Sequence, residues 1–432
     1  MDAPGGFEPP LTEPESAVLP LDDGANAGAP YERSGADLSM PSRAPSGLAQ
    51  TPDAMISWRQ VPGHAARDHD AYETVDTMLR DPEGRSVPAS HPERRNAGRS
   101  HGRAVYSALD LGTNNCRLLI ARPTRGGFHV IDAFSRIVRL GEGLAQRGRL
   151  SDDAMDRAIE ALAICARKIR RRRVTCMRSV ATEACRTATN RDHFLERVRS
   201  ETGLNLDIIS PAEEARLAVV GCQTLLDPSY SHALVFDIGG GSTELILVRR
   251  RGDARLEMLG WTSIPFGVVN VSERFDRKTL DAGDYEAIVS TVRRELDAFR
   301  ERMRSVADLR RERHLLLGTS GTVTTLASVA LALPHYDRSR VDGAWFAIDQ
   351  VRELGRAVAL MSYEERRAQP CIGPERADYV SAGCAILAAI LDAWPCDRLR
   401  VADRGIREGI LRGLMGTSQL VRKRRNRARG RT

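Results

Sequence analysis

Lysine is almost absent from this sequence: it stands only at positions 168, 278 and 423, so nearly all of the 64 basic residues are arginine. Set against 57 acidic residues, they give a formal net charge of +7, which favours a polyanionic ligand. No segment approaches the roughly 18–20 consecutive apolar residues that span a bilayer. Residues 1–20 also lack the basic and apolar stretches of an export signal. We therefore expect a cytoplasmic protein without a membrane partner.

The chain has no C-x-x-C pair, although it contains eight cysteines. Each cysteine lies in an apolar or mixed segment, where it behaves as a small hydrophobic residue. Neither a zinc site nor a disulfide framework is predicted. The arginine excess alone predicts no specific nucleic-acid partner. The oligomeric state stays open, with a homodimer among the options.

The 432 residues are too many for one compact core, and their composition divides them into four segments. Residues 1–103 are rich in proline and glycine and lack sustained periodicity, which predicts a disordered extension. Residues 417–432 predict a solvated basic tail. Between them, residues 104–231 and 232–416 each begin with β-rich runs and continue with alternating helices and strands. This order is typical of an α/β fold with mixed sheets.

An internal repeat predicts how the two central segments are built. Residues 109–122 (LDLGTNNCRLLIAR) overlay residues 236–249 (FDIGGGSTELILVR) without a gap, with Asp110 aligned on Asp237. Each copy is a strand that ends in Asp, a turn of small residues and a second strand. Small residues let backbone N–H groups approach a phosphate closely, and a carboxylate beside that phosphate suits Mg²⁺. We predict two similar domains whose phosphate loops face each other across a central cleft.

A third glycine-rich run follows a predicted strand at residues 314–318 and opens a helix. It contains Gly318, Ser320 and Gly321. Backbone N–H groups at a helix N-terminus attract anions. In company with the first two loops, this run is predicted to form a third wall of the phosphate site.

With these loops, the chain resembles the exopolyphosphatase / guanosine pentaphosphate phosphohydrolase family, part of the actin, sugar kinase and Hsp70 fold group. The resemblance implies two actin-like (ribonuclease H-like) domains and magnesium-dependent hydrolysis of a terminal phosphoanhydride. The extra C-terminal helical domains of longer members are not expected here, which bears on processivity. Many members also have Asp-Gly-Ala where this chain has Asp403-Arg404-Gly405. The motifs that carry the resemblance lie at residues 110–115, 181–186, 213–216, 237–244, 318–322 and 403–409.

The loops and the resemblance together assign roles to individual residues. The resemblance implies that Glu214 is the general base for the attacking water, and that Asp110, Asp237 and Glu244 hold Mg²⁺. The segment from Ser210 to Glu213 is typical of a capping box, which predicts a structural role for Glu213. The predicted phosphate-binding residues are Gly112, Thr113, Asn114, Arg186, Gly239, Gly240, Gly241, Ser242, Gly318, Ser320, Gly321 and Arg376.

Two other classes of function have similar phosphate loops. A sugar or acid kinase of the same fold group would use ATP, but it would need an adenosine pocket and a base for the acceptor hydroxyl. A non-enzymatic actin-like nucleotide-binding protein would assemble with nucleotide. Between the two hydrolase substrates, inorganic polyphosphate is favoured over guanosine pentaphosphate, because the sequence has no obvious guanine-reading element.

Overall fold

The computed structural model describes residues 104–251, 256–275, 280–307 and 313–416. The predicted disordered extension and basic tail lie outside these ranges. Within the described ranges, no helix is both long enough and apolar enough to cross a membrane.

The first sheet contains five strands. They are β1 (Tyr106–Leu111), β2 (Asn115–Thr124), β3 (Gly127–Ile137), β4 (Cys176–Ala181) and β5 (Asp207–Ile208). Their spatial order is β3-β2-β1-β4-β5. The first three strands pair antiparallel, whereas β4 lies parallel to β1 and β5 lies parallel to β4.

The second sheet repeats this plan and adds one strand at its edge. Its strands are β6 (His232–Ile238), β7 (Thr243–Arg250), β8 (Leu256–Ile264), β9 (His314–Thr319), β10 (Trp345–Ala347) and β11 (Arg398–Ala402). The order is β10-β11-β9-β6-β7-β8, so β6, β7, β8, β9 and β11 match β1 to β5 in order and direction. The predicted α/β class with two mixed sheets is confirmed.

Helices cover both faces of each sheet. Two of the longer helices begin at a capping side chain: Ser151 accepts the N–H of Ala154, and Asp281 accepts the N–H of Asp284. A further helical segment covers residues 406–416. The helices are α1 (Leu144–Arg147), α2 (Asp152–Arg171), α3 (Glu183–Thr187), α4 (Arg191–Thr202), α5 (Pro211–Cys222), α6 (Val268–Arg274), α7 (Ala282–Arg304), α8 (Gly321–Ala330), α9 (Arg338–Val341), α10 (Ile348–Leu360), α11 (Tyr363–Ala368), α12 (Gly373–Arg376) and α13 (Val380–Ala393).

The two-residue period of the strands decides which way the repeated aspartates face. In β1, Leu109 and Leu111 enter the core under α2, so Asp110 shares the opposite face with Ala108. In β6, Phe236 enters the large core under α7 and α13, so Asp237 shares the opposite face with its neighbour Val235. Those opposite faces are covered by segment 406–416 on the first sheet and by α5 on the second. Both aspartates therefore lie on the sheet faces that these two helices cover.

The covering helices touch each other at glycines. A Cβ atom placed on Gly221 of α5 would lie 2.0 Å from the carbonyl oxygen of Gly405. A Cβ atom on Gly409 would lie 2.2 Å from the carbonyl oxygen of Leu217. Real Cβ contacts are never this short, so the two backbones can pack at this distance only because neither glycine has a side chain.

Replacing Gly409 with alanine is expected to destabilise the protein, because the methyl group must push α5 away from segment 406–416. Overpacking of this kind costs about 1–3 kcal/mol. The matched control is Gly413→Ala in the same helical segment, where an added Cβ meets no atom within 4 Å. That change should leave the free energy of unfolding unchanged or raise it by up to about 1 kcal/mol, through helix propensity. Denaturant unfolding of both variants checks this, and equal stabilities would contradict the close packing.

Candidate active site

The two repeated turns have the same backbone geometry. In the first loop (residues 112–115), the N–H of Gly112 donates to the carbonyl of Asn115 at 2.8 Å. In the second loop (residues 239–242), the N–H of Gly239 donates to the carbonyl of Ser242 at 2.9 Å. Each loop joins two antiparallel strands, and the second-last residue of the first strand is an aspartate. The sequence repeat is therefore also a repeat of local structure.

The two loops face each other at close range. A Cβ atom on Gly240 would lie 3.0 Å from Cβ of Thr113 and 3.1 Å from the backbone nitrogen of Asn114. A Cβ atom on Gly241 would collide with the carboxylate of Glu183, 2.0 Å away. The glycines of the second loop therefore allow the first loop and its surroundings to approach. Both loops line one open cleft with about 750 Å³ of free space.

The third loop reaches the same cleft through Thr319 and Ser320. Ser320 has a φ of +79°, a left-handed conformation that is uncommon for a residue with a side chain. Its hydroxyl hydrogen-bonds the carboxylate of Asp237 and lowers the pKa of that group, against the larger effect of burial. Strained backbone of this kind persists where surrounding contacts hold it, and it occurs often at functional sites.

Six carboxylates line the cleft, and four of them are the predicted ones: Asp110, Asp237, Glu244 and Glu214. Asp237 and Glu244 stand directly opposite each other on β6 and β7. Burial raises the pKa of Asp237 to about 6, and burial together with the Asp237 charge raises the pKa of Glu244 to about 7. Burial also raises the pKa of Asp110, whereas nearby Arg117 lowers it. Such shifts mean that the group resists carrying its full negative charge without cations beside it.

Glu214, the predicted general base, projects into this cleft from the first turn of α5. Burial and the neighbouring Glu244 raise the pKa of Glu214 well above the usual carboxyl range. Arg186 opposes this shift through a hydrogen bond of 3.0 Å to Oε2 of Glu214. The same guanidinium nitrogen donates to the carbonyl of Ile209 at 2.8 Å. Arg186 thus contacts the predicted base, and it does not line the cleft itself.

The capping box predicted for Glu213 is only half right. Ser210 is the N-cap of α5, and its hydroxyl accepts the N–H of Glu213 at 3.2 Å. The carboxylate of Glu213 does not return to the Ser210 amide, however. It accepts hydrogen bonds from Arg178 at 2.8 Å and from Arg216 at 2.7 and 2.9 Å. Charge-assisted bonds to two guanidinium groups are stronger than one bond to a backbone amide, which explains the difference.

Three other predicted phosphate-binding residues stand away from the cleft lining. Gly318 lies inside β9, where a Cβ atom would come within 2.5 Å of the Phe236 ring. Gly321 begins α8 behind Ser320. Arg376 ends the short helix α12, and it donates to Oγ1 of Thr325 at 2.7 Å. The hydroxyl of Ser242 does lie in the lining but donates to Glu244 at 2.7 Å.

The cleft also contains residues that were not predicted, including Arg117 and Arg407. Arg117 pairs with Asp110 across β1 and β2, in the position that Glu244 occupies opposite Asp237. The gapless overlay of the repeats already aligned Arg117 with Glu244. Arg407 begins segment 406–416, and its burial lowers its pKa. Neither guanidinium forms an ion pair with a carboxylate in the described part of the chain. The remaining unpredicted lining residues are Asn115, Thr182, Glu183, Thr319, Asp403, Arg404, Gly405 and Ile406.

Within the described ranges, no group of three or more His, Cys, Asp or Glu side chains is arranged to hold a metal ion by itself. The acidic side chains of the cleft nevertheless offer only oxygen donors. One of them, Oδ1 of Asp110, is buried without a hydrogen-bond partner. Oxygen donors of this kind fit a hard divalent cation better than a soft one.

Comparison with known proteins agrees with this geometry. The Ppx/GppA phosphatase family matches residues 119–418. Exopolyphosphatase 2 of Mycobacterium tuberculosis is 31% identical over 331 residues, which cover 72% of this chain and 98% of that protein. The guanosine-5'-triphosphate,3'-diphosphate pyrophosphatase of Aeromonas hydrophila is 28% identical over 320 residues. Those residues cover 74% of this chain but only 61% of that relative, so the chain spans about three fifths of its length.

Solved structures give the same result. The crystal structure of an exopolyphosphatase-like protein has a TM-score of 0.65 at 29% identity, covering 72% of this chain and 97% of that one. The Ppx/GppA family member of Aquifex aeolicus has a TM-score of 0.59 at 28% identity, covering 74% of this chain and 98% of that one. The resemblance inferred from the separated motifs is thereby confirmed, and this chain belongs to the Ppx/GppA phosphatase family.

Proposed function

We propose that this protein hydrolyses a terminal phosphoanhydride bond and releases orthophosphate, with inorganic polyphosphate as its preferred substrate. The observation that carries the proposal is the meeting of two repeat-related glycine loops around a buried group of carboxylates that includes Glu214. Backbone N–H groups in such loops suit phosphate oxygens, and a carboxylate within reach suits an attacking water.

In this proposal, Glu214 accepts a proton from the attacking water. Burial and the neighbouring Glu244 raise the pKa of Glu214, which makes its carboxylate a stronger proton acceptor. The hydrogen bond from Arg186 fixes the orientation of the carboxylate before substrate arrives. Because phosphoryl transfer needs little covalent help, positioning and charge neutralisation account for most of the rate.

The positive charge of the cleft would bind the substrate. Arg117 and Arg407 line it without carboxylate partners among the described residues, so their N–H groups are available to phosphate oxygens. Backbone N–H groups of the two loops would hold the terminal phosphate. A second phosphate along the chain could then contact the arginines, which suits a polymer with repeated charge.

Mg²⁺ is the proposed cofactor, and Asp110, Asp237 and Glu244 are the residues that would hold it. Mg²⁺ usually takes one or two protein carboxylates and completes its shell with water and substrate phosphate oxygens. A preformed cluster of three protein ligands is therefore not required. When bound, the ion would neutralise negative charge on the transferred phosphoryl group.

We favour polyphosphate over guanosine pentaphosphate because the described residues that line the cleft offer a guanine base no stacking surface. Among the described residues of the lining, no aromatic side chain is present on which a guanine base could stack. The match to nearly the full length of a relative named exopolyphosphatase also favours this substrate. Guanosine pentaphosphate is the second candidate, because another relative is named for a guanosine nucleotide.

Adjacent glutamates should respond differently to the same substitution. Glu214→Gln keeps the size of the side chain but cannot accept the proton, so kcat should fall by about 10²–10⁴-fold while the protein stays folded. Glu213→Gln removes the charge that pairs with Arg178 and Arg216, which should lower stability by roughly 3 kcal/mol. Its kcat per folded molecule should stay near wild type. Phosphate release and thermal unfolding measured on both variants decide this; an inactive Glu213→Gln beside an active Glu214→Gln would refute the assignment.

Activity should depend on a divalent cation through Asp237. Asp237→Asn should raise the Mg²⁺ concentration for half-maximal phosphate release and should also lower turnover, because one charged oxygen donor is lost. Asp207→Asn, an exposed carboxylate on β5, is the matched control and should leave the Mg²⁺ titration unchanged. Wild-type activity that persists in excess chelator would show that the acidic group does not serve a metal.

A further inference from the structure

The first phosphate loop is held in place by the chain that follows β3. Residues 138–143, called here the first brace, donate backbone hydrogen bonds to the outer side of this loop. The N–H groups of Val138 and Arg139 donate to the carbonyl of Asn114 at 2.8 and 3.1 Å. The N–H of Gly141 donates to the carbonyl of Thr113 at 2.9 Å. The brace thereby satisfies the carbonyls of Thr113 and Asn114.

The second phosphate loop is held in the same way by the chain that follows β8. Residues 267–273 are called here the second brace. The N–H of Val268 donates to the carbonyl of Gly239 at 2.9 Å, and the N–H of Val269 donates to that of Gly240 at 2.8 Å. The side-chain amide of Asn270 donates to the carbonyl of Gly241 at 2.6 Å. The duplication thus extends past the two hairpins that the sequence repeat contains.

The two braces are joined to each other. The N–H of Gly143, at the end of the first brace, donates to Oε1 of Glu273 in the second brace at 2.6 Å. Each brace therefore contacts its own phosphate loop on one side and the opposite brace on the other. A displacement of one loop would be transmitted to the other through this short chain of hydrogen bonds.

Arg139 provides a second connection between residues 104–231, the first half, and residues 232–416, the second half. Its guanidinium donates to Oδ2 of Asp378 at 3.1 Å and lies 5.6 Å from the centre of the Tyr379 ring. Its backbone has a φ of +50°, a left-handed conformation that costs free energy in a residue with a side chain. The hydrogen bond to the first loop and the contacts with Asp378 and Tyr379 hold Arg139 in this conformation from both sides.

We propose that the two braces form one clamp that sets the separation of the phosphate loops, and that Arg139 is a positioning residue of this clamp. This inference rests on the proposed function, because it requires both loops to contact the same phosphate. Donors that act together on one phosphate must be held at fixed relative positions before it binds. Both loops are short, and the clamp holds each of them through hydrogen bonds to its backbone carbonyls.

The experiment uses the full chain and three arginine substitutions. Arg139→Met removes the ion pair and the ring contact while keeping an unbranched side chain at φ +50°. Arg136→Met is the matched control. Arg136 forms an ion pair with Glu160 at 3.8 Å and lies 5.9 Å from the centre of the Phe134 ring. Both of these partners lie in the first half, so the change does not affect a contact between the halves. Arg139→Lys keeps the charge and should behave within about twofold of wild type.

Hydrogen–deuterium exchange is the first measurement. Arg139→Met should speed exchange about 3–10-fold in the segment 138–141 and also at Val268 and Val269, which Arg139 does not touch. Arg136→Met should change neither segment. Exchange that rises at 138–141 alone would overturn the clamp, because it would show a local effect that does not reach the second loop.

Steady-state kinetics on polyphosphate is the second measurement. Arg139→Met should raise KM about 3–10-fold with kcat within about twofold, since positioning is lost while Glu214 is untouched. Combining it with Asp378→Asn should add little further, because both changes break the same contact. Fully additive effects, or a lower melting temperature with unchanged KM, would overturn the proposal. If the wild-type protein releases no phosphate, the proposed function fails, while the exchange measurement still decides on the clamp.

Discussion

Negative charge buried at one place is the constraint on which the rest of the site depends. Asp110, Asp237, Glu244 and Glu214 line the same cleft, and burial raises the pKa of each. A phosphate substrate adds more negative charge, so the site can work only if cations share the space. Arg186 is already bound to Glu214, and in our proposal Arg117, Arg407 and a divalent ion complete the compensation. We therefore propose that the buried carboxylates are balanced by the positive groups that bind the substrate.

The duplicated fold explains how these charges come together. Alternation along β1 and β6 places Asp110 and Asp237 on the sheet faces that are covered by segment 406–416 and by α5. These two helices touch at glycines, and each of them contributes a residue to the cleft from its first turn. Glu214 enters from α5 and Arg407 from segment 406–416. The close helix contact is thus a condition for the site as well as for stability.

Sequence reasoning could predict the parts of this site that depend on local pattern. The strand–turn–strand repeat predicted both loops, and the motif around Glu214 predicted a carboxylate that does lie in the cleft. It failed where distant residues compete, as for Glu213, whose carboxylate prefers Arg178 and Arg216 to the N-cap amide. Arg117 could have been found, because the overlay aligned it with Glu244. The partners of Arg376 and Arg139 depend on tertiary packing, and no spacing in the sequence encodes them.

The central claim is that water, directed by Glu214, attacks a terminal phosphorus atom of a polyanionic chain. It is tested most directly by incubating the purified protein with Mg²⁺ and either polyphosphate or guanosine pentaphosphate in ¹⁸O-labelled water, without any acceptor alcohol. The account predicts one ¹⁸O atom in each released orthophosphate, none in the shortened chain, and a higher kcat/KM on polyphosphate. Label in the shortened chain, or no release until an acceptor is added, would contradict attack by water at the terminal phosphorus. A kcat/KM at least tenfold higher on the guanosine nucleotide would contradict the substrate preference.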